Sequence, residues 1–119
     1  MRIAVVDDDS VMVFLVTRLF PGHDIAAFSG ARPVLEIIAA GERFDVIITD
    51  LMMPGVSGTE MHEELCLLAP DQARRLIFIT GGLPPDESDV PVLQKPFNHT
   101  KLQELVERVG AGEHDQDDV

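Results

Sequence analysis

Val46-Ile47-Ile48-Thr49-Asp50 is a short, unbroken apolar run, rich in β-branched side chains, that stops on a carboxylate. Such a run, with no polar alternation, suits a strand covered on both faces, as in a parallel sheet flanked by helices. Three further runs follow the same plan. Ile3-Ala4-Val5-Val6 ends on Asp7-Asp8-Asp9, Leu76-Ile77-Phe78-Ile79 on Thr80, and the weaker Val92-Leu93-Gln94 on Lys95-Pro96. In a parallel α/β sheet the carboxyl ends of the strands share one rim, and ligands bind in the crevice there. The pattern therefore predicts one rim that carries clustered carboxylates, a hydroxyl and an ammonium group. That set suits a divalent cation and a phosphoryl group.

Helical segments fill the spaces between the runs. Ser10 is the expected N-cap of a helix over 10–20, with Val11, Phe14, Leu15 and Leu19 as its apolar face and Pro21-Gly22 as its stop. A short strand is expected over 23–28. A helix over 31–40 turns Val34, Leu35, Ile37 and Ile38 inward and has Gly41 just past its end. Pro54-Gly55-Val56-Ser57-Gly58 reads as a turn from which Ser57 caps a helix to about residue 68. Asn98 caps a last helix to about residue 109, with Leu102, Leu105, Val106 and Val109 on one face. Strand and helix alternating in this way predict an α/β, doubly wound parallel sheet.

Two segments break the rhythm. Residues 81–91 hold Gly81, Gly82, Pro84, Pro85 and Pro91, and each interior proline costs a helix ~3 kcal/mol. A helix there is expected to be absent or reduced to a turn, which leaves about four. Residues 1–109 form the domain, and 110–119 read as an acidic flexible tail or linker start.

Composition narrows the function. Twenty-one acids against nine basic residues give a formal charge of −12, and no cationic run exceeds Arg74-Arg75. A nucleic-acid surface needs clustered Lys and Arg, so none is expected. No apolar stretch reaches the ~20 residues that span a bilayer, and the first residues lack a signal-peptide layout. The single cysteine, Cys66, forms no internal disulfide and, among Leu65, Leu67 and Leu68, is expected to be a buried small hydrophobe. The chain reads as soluble and cytoplasmic. His62, His99 and His114 lack metal-ligand spacing and read as surface residues.

Magnesium prefers hard oxygen ligands and keeps several waters, so one or two carboxylates and a phosphate oxygen suffice. Asp8 and Asp50 are the expected direct ligands, Asp7 acts through water, and the Met52 carbonyl supplies a further oxygen. A carboxylate in such a site can be a nucleophile toward a phosphoryl group, and Asp50, alone at the end of a central strand, is the candidate acceptor. Lys95 pairs with one phosphoryl oxygen, Thr80 donates its hydroxyl to another, and Gly81 leaves its backbone N–H accessible.

Val5-Val6-Asp7-Asp8-Asp9-Ser10, the segment from Thr49 to Gly58, Ile79-Thr80-Gly81 and Gln94-Lys95-Pro96-Phe97 together resemble the receiver domain of two-component response regulators and hybrid sensor kinases. The resemblance covers about residues 1–109. It implies a flavodoxin-like five-stranded sheet of order 2-1-3-4-5, Asp50 as phospho-acceptor, Asp7 and Asp8 as the metal-binding acidic pair, Thr80 as switch hydroxyl and Lys95 as phosphate sensor. The implied partner is a histidine kinase or a histidine phosphotransfer protein, whose phosphohistidine supplies the phosphoryl group. A monomer or weak dimer is expected, either stand-alone or part of a hybrid kinase.

The chain departs from the family at two places. Only fourteen residues, rich in Pro and Gly, separate Thr80 from Lys95, where the family places a full helix, and Val92 stands where an aromatic residue is usual. Both fall on the surface that typically carries output. Two other readings compete with the phospho-acceptor: a non-phosphorylated pseudo-receiver used as an interaction scaffold, and a Mg²⁺-dependent aspartyl-phosphate phosphatase. Against the latter, Met52 holds the position two after Asp50, where such enzymes place a general acid.

Overall fold

In the computed structural model, residues 1–53, 55–85 and 88–112 are described. Strands β1 (Arg2–Val6), β2 (Asp24–Phe28), β3 (Val46–Asp50), β4 (Leu76–Thr80) and β5 (Val92–Gln94) form one sheet in the order β2-β1-β3-β4-β5. All four pairings are parallel. The helices are α1 (Ser10–Leu19), α2 (Ala31–Ala39), α3 (Gly58–Leu68), the four-residue α4 (Pro70–Ala73) and α5 (His99–Gly110). The flavodoxin-like order expected from the resemblance is the one observed.

Both sheet faces are covered, which explains why the strand runs are uniformly apolar. Ile3, Val5, Ile48, Ile77 and Ile79 pack with Met12 and Val16 of α1 and Leu102 and Val106 of α5. The alternate residues Ala4, Val6, Ile47 and Phe78 pack with Val34, Leu35 and Ile38 of α2 and Met61 and Leu65 of α3. Burying one such side chain contributes ~1.5–3 kcal/mol. Register then aligns the strand ends: Val6 lies beside Thr49, Asp50 beside Ile79, and Thr80 beside Gln94.

Caps and turns follow their residue chemistry. Ser57 and Glu60 close a reciprocal capping box on α3, and Asn98 Oδ1 accepts the Thr100 N–H at the start of α5. Gly41, just past the Ala40 cap of α2, has φ +110°, a conformation that disfavours a side chain. Arg75 donates to the carbonyls of Val109 (3.0 Å) and Gly110 (3.1 Å), which closes the C-terminal end of α5.

Several expectations are corrected. The N-cap of α1 is Asp9, whose carboxylate accepts the Val11 N–H at 3.0 Å, and Ser10 is the first helical residue. Of the expected face of α1, Leu15 and Leu19 pack against the core, partly buried, whereas Val11 and Phe14 face solvent at 65% and 64% exposure; the fully buried residues are Met12 and Val16. Residues 11–16 are all apolar, so spacing alone does not single out a face. Cys66 is exposed. Helix α3 buries Gly58, Met61 and Leu65, and Cys66 lies about 100° round the helix from Leu65.

Between β4 and β5 there is no helix among the described residues, as the prolines dictate. The short α4 before β4 was not expected; Pro70 starts it and Gln72 anchors it, exchanging hydrogen bonds with both backbone groups of Phe44 at 2.8 and 3.1 Å. Helix α5 continues one residue past the expected end, to Gly110. The remaining acidic tail, with His114, lies outside the described residues, as do Pro54 of the expected turn and Asp86 and Glu87 of the β4–β5 connection.

Candidate functional site at the strand ends

The rim predicted from the four runs is present. Asp7 and Asp8 follow β1 and Asp50 ends β3, and each offers a carboxylate oxygen such that all three lie within 4.8 Å of one another. Two adjacent parallel strands force this approach. Asp7 N–H donates to the Phe28 carbonyl at 2.9 Å, which fixes the exit of β1 against β2.

Asp7 is buried. Its Oδ1 accepts the Asp9 N–H at 2.9 Å, and its buried Oδ2 has no hydrogen-bond partner. Burial pushes the Asp7 carboxyl above its ordinary value, opposed by the Asp9 N–H; the Asp50 charge pushes it further up, the Lys95 charge draws it down, and the neighbouring Asp8 carboxyl adds to the rise. An orphaned buried carboxylate oxygen beside two more carboxylates is a donor set of hard oxygens. It fits a small divalent cation such as Mg²⁺.

Asp50 is half-buried, and its Oδ1 accepts the Met52 N–H at 3.0 Å. Its Oδ2 has no hydrogen bond among the described residues. Met52 is exposed, with its carbonyl on the loop leaving β3. Thr80, at the end of β4, is buried; its Oγ1 accepts the Gly82 N–H at 3.1 Å, and its carbonyl accepts the Lys95 N–H at 2.7 Å. Gly81 is exposed. Lys95 is half-buried, acts electrostatically on Asp7 and makes no ion pair among the described residues. The peptide bond from Lys95 to Pro96 is cis.

The model of the response regulator receiver domain matches residues 3–107. The chain belongs to this family. The receiver protein CpdR of Brucella abortus is 32% identical over 111 residues, covering 87% of this chain and 90% of that protein. The sensory/regulatory protein RpfC of Xanthomonas campestris is 37% identical over 67 residues, 55% of this chain but only 9% of that much longer protein. Among solved structures, the chemotaxis protein CheY4 of Vibrio cholerae superposes with a TM-score of 0.73 at 25% identity, covering 91% of this receiver domain and 97% of that chain.

Sequence reasoning missed two features of this receiver's site. One is the Asp9 cap, which orients α1 directly beside the acid cluster. The other is Gly58: a Cβ there would lie 3.0 Å from Leu51 Cα, 3.1 Å from the Asp50 carbonyl and 3.2 Å from the Phe78 ring. A side chain here would push the start of α3 and the Asp50 turn apart by a few tenths of an ångström, and a glycine directly after a capping serine was the available signal.

Proposed function

We propose that this receiver domain accepts a phosphoryl group on Asp50 from the phosphohistidine of a histidine kinase or phosphotransfer protein, in the cytoplasm and with Mg²⁺ present. The observation that carries this reading is the convergence of the Asp7, Asp8 and Asp50 carboxylates around a buried oxygen that lacks a partner. Asp7, Asp8, Asp50 and the Met52 carbonyl are the residues that would hold the metal. A bound Mg²⁺ neutralises charge on the transferring phosphoryl oxygens.

The chain's own residues account for the rest. The Met52 N–H holds one Asp50 oxygen, which leaves the other to attack phosphorus as the bond from phosphorus to the imidazole nitrogen breaks. The departing imidazole keeps that electron pair. Lys95 pairs with one phosphoryl oxygen, and the Gly81 N–H and the Thr80 hydroxyl donate to others. Because Oγ1 of Thr80 accepts from Gly82, its own hydrogen remains free to donate. Val11 and Phe14, exposed on α1 next to the acid cluster, offer an apolar landing place for the partner.

The test is intact mass after incubation with Mg²⁺ and a small phosphodonor. The wild type gains one phosphoryl group and Asp50→Ala gains none. An adduct that persists on Asp50→Ala refutes the acceptor assignment, no adduct on either favours the scaffold, and continuous phosphate release favours the phosphatase.

A further inference from the structure

Helix α3 has a flank that no helix covers among the described residues. Its other flank meets α2, where Arg32 and Glu64 pair at 3.3 Å. On the flank toward β4, His62 stands edge-on to the Phe78 ring, 6.5 Å between centroids, and Cys66 lies one turn further along. The β4–β5 connection leaves this side of α3 without a helix among the described residues, and Cys66 is exposed. His62 Nε2 and Cys66 Sγ are 3.6 Å apart. Neither atom has another polar partner among the described residues.

In the metal-free chain that separation is a thiol–imidazole hydrogen bond, and it is also the separation of two ligands on one ion. Zinc binds thiolate sulfur at ~2.3 Å and imidazole nitrogen at ~2.0–2.1 Å, so a tetrahedral angle places the two donors about 3.5–3.6 Å apart. The pair already has the bite of a tetrahedral ion. His62 has no ligand spacing to another histidine, but with Cys66 it has the i, i+4 spacing that brings both side chains to one helix face, and the Phe78 contact restrains the imidazole, so little ordering remains to oppose binding.

We propose that His62 and Cys66 form a two-ligand site for Zn²⁺ or a similar borderline-soft divalent ion on the uncovered flank of α3, with water in the remaining positions. As the bond from sulfur to metal forms, the thiol proton leaves to solvent. The site is chemically separate from the acid cluster, because a nitrogen–sulfur pair selects zinc-like ions whereas carboxylates select Mg²⁺. Metal here pins the second and third turns of α3.

Cobalt(II) is the probe, since its bond to thiolate gives an intense near-ultraviolet charge-transfer band that zinc then displaces. The full chain, with Mg²⁺ in excess, is expected to bind one cobalt with this band, and Asp50→Ala to behave identically. Cys66→Ser abolishes the band. His62→Phe, which keeps a ring against Phe78, weakens cobalt binding by about tenfold or more, since even losing an outer-shell partner costs that much. Circular dichroism checks that each variant is folded. A missing band, a band of equal affinity in His62→Phe, or half an ion per chain with a dimer in sedimentation would each overturn the proposal.

Discussion

At the scale of the residue, Asp7 sets the electrostatic character of the site. Its carboxyl is raised above the ordinary value chiefly by burial, and its Oδ2 is without a partner. Between the unfolded value of 3.8 and the raised folded one, the folded state keeps a proton that the unfolded chain releases. Stability of the metal-free protein therefore falls as pH rises through that window and stays lower to neutrality. Asp7→Asn keeps an oxygen for the Asp9 N–H and presents an amide N–H to the neighbouring carboxylates. It is expected to stabilise the metal-free protein at pH 7 by about 1–3 kcal/mol, the usual penalty of an unpaired buried polar group, and to flatten the acidic limb of the pH–stability curve. Denaturant melts across pH check this, and an unchanged limb would contradict the assignment of Asp7.

At the scale of the element, caps and connections separate what the sequence could disclose from what it could not. Ser57→Ala removes one half of the α3 capping box and is expected to cost about 1 kcal/mol, read as a lower urea midpoint at constant slope. Ser57 and Asn98 were legible because a hydroxyl or amide before a helical run has one dominant use. Asp9 was hidden among three consecutive acids, each equally able to cap. The strands were legible because full burial leaves them no polar positions, and their terminal residues named the rim. The inward face of α1 was not, since its first turns are apolar all round. Cys66 misled for a related reason: Leu67, its neighbour, is itself 89% exposed, so an apolar neighbourhood in sequence was not one in space.

At the scale of the molecule, a formal charge of −12 is spread over a small body, with three of the carboxylates drawn to one point of the rim. Self-repulsion of this kind lowers stability and is eased by any salt. A specific cation acts differently, because it stabilises only the fold that assembles its ligands, by ~2.7 kcal/mol at a hundred times its dissociation constant. At fixed ionic strength, replacing NaCl by MgCl₂ is expected to raise the melting temperature of the wild type. Asp50→Asn should lose most of that rise. Equal rises in the two proteins would assign the effect to general screening.

The hydrogen bond from Gly82 N–H to Thr80 Oγ1 has a mechanical consequence. It acts as a latch: the connection leaving β4 has no helical ladder among the described residues, so this backbone donor is tied down by a single side-chain rotamer. Turning Thr80 about its first side-chain torsion opens the latch at a cost of roughly 1 kcal/mol. The Lys95 N–H stays fastened to the Thr80 carbonyl throughout. One threonine thus serves as a hinge pin, with its backbone bolted to the next strand, while its hydroxyl and the Gln94 amide, which donates to the Gly82 carbonyl at 3.0 Å, hold the first turn of the loop from two sides.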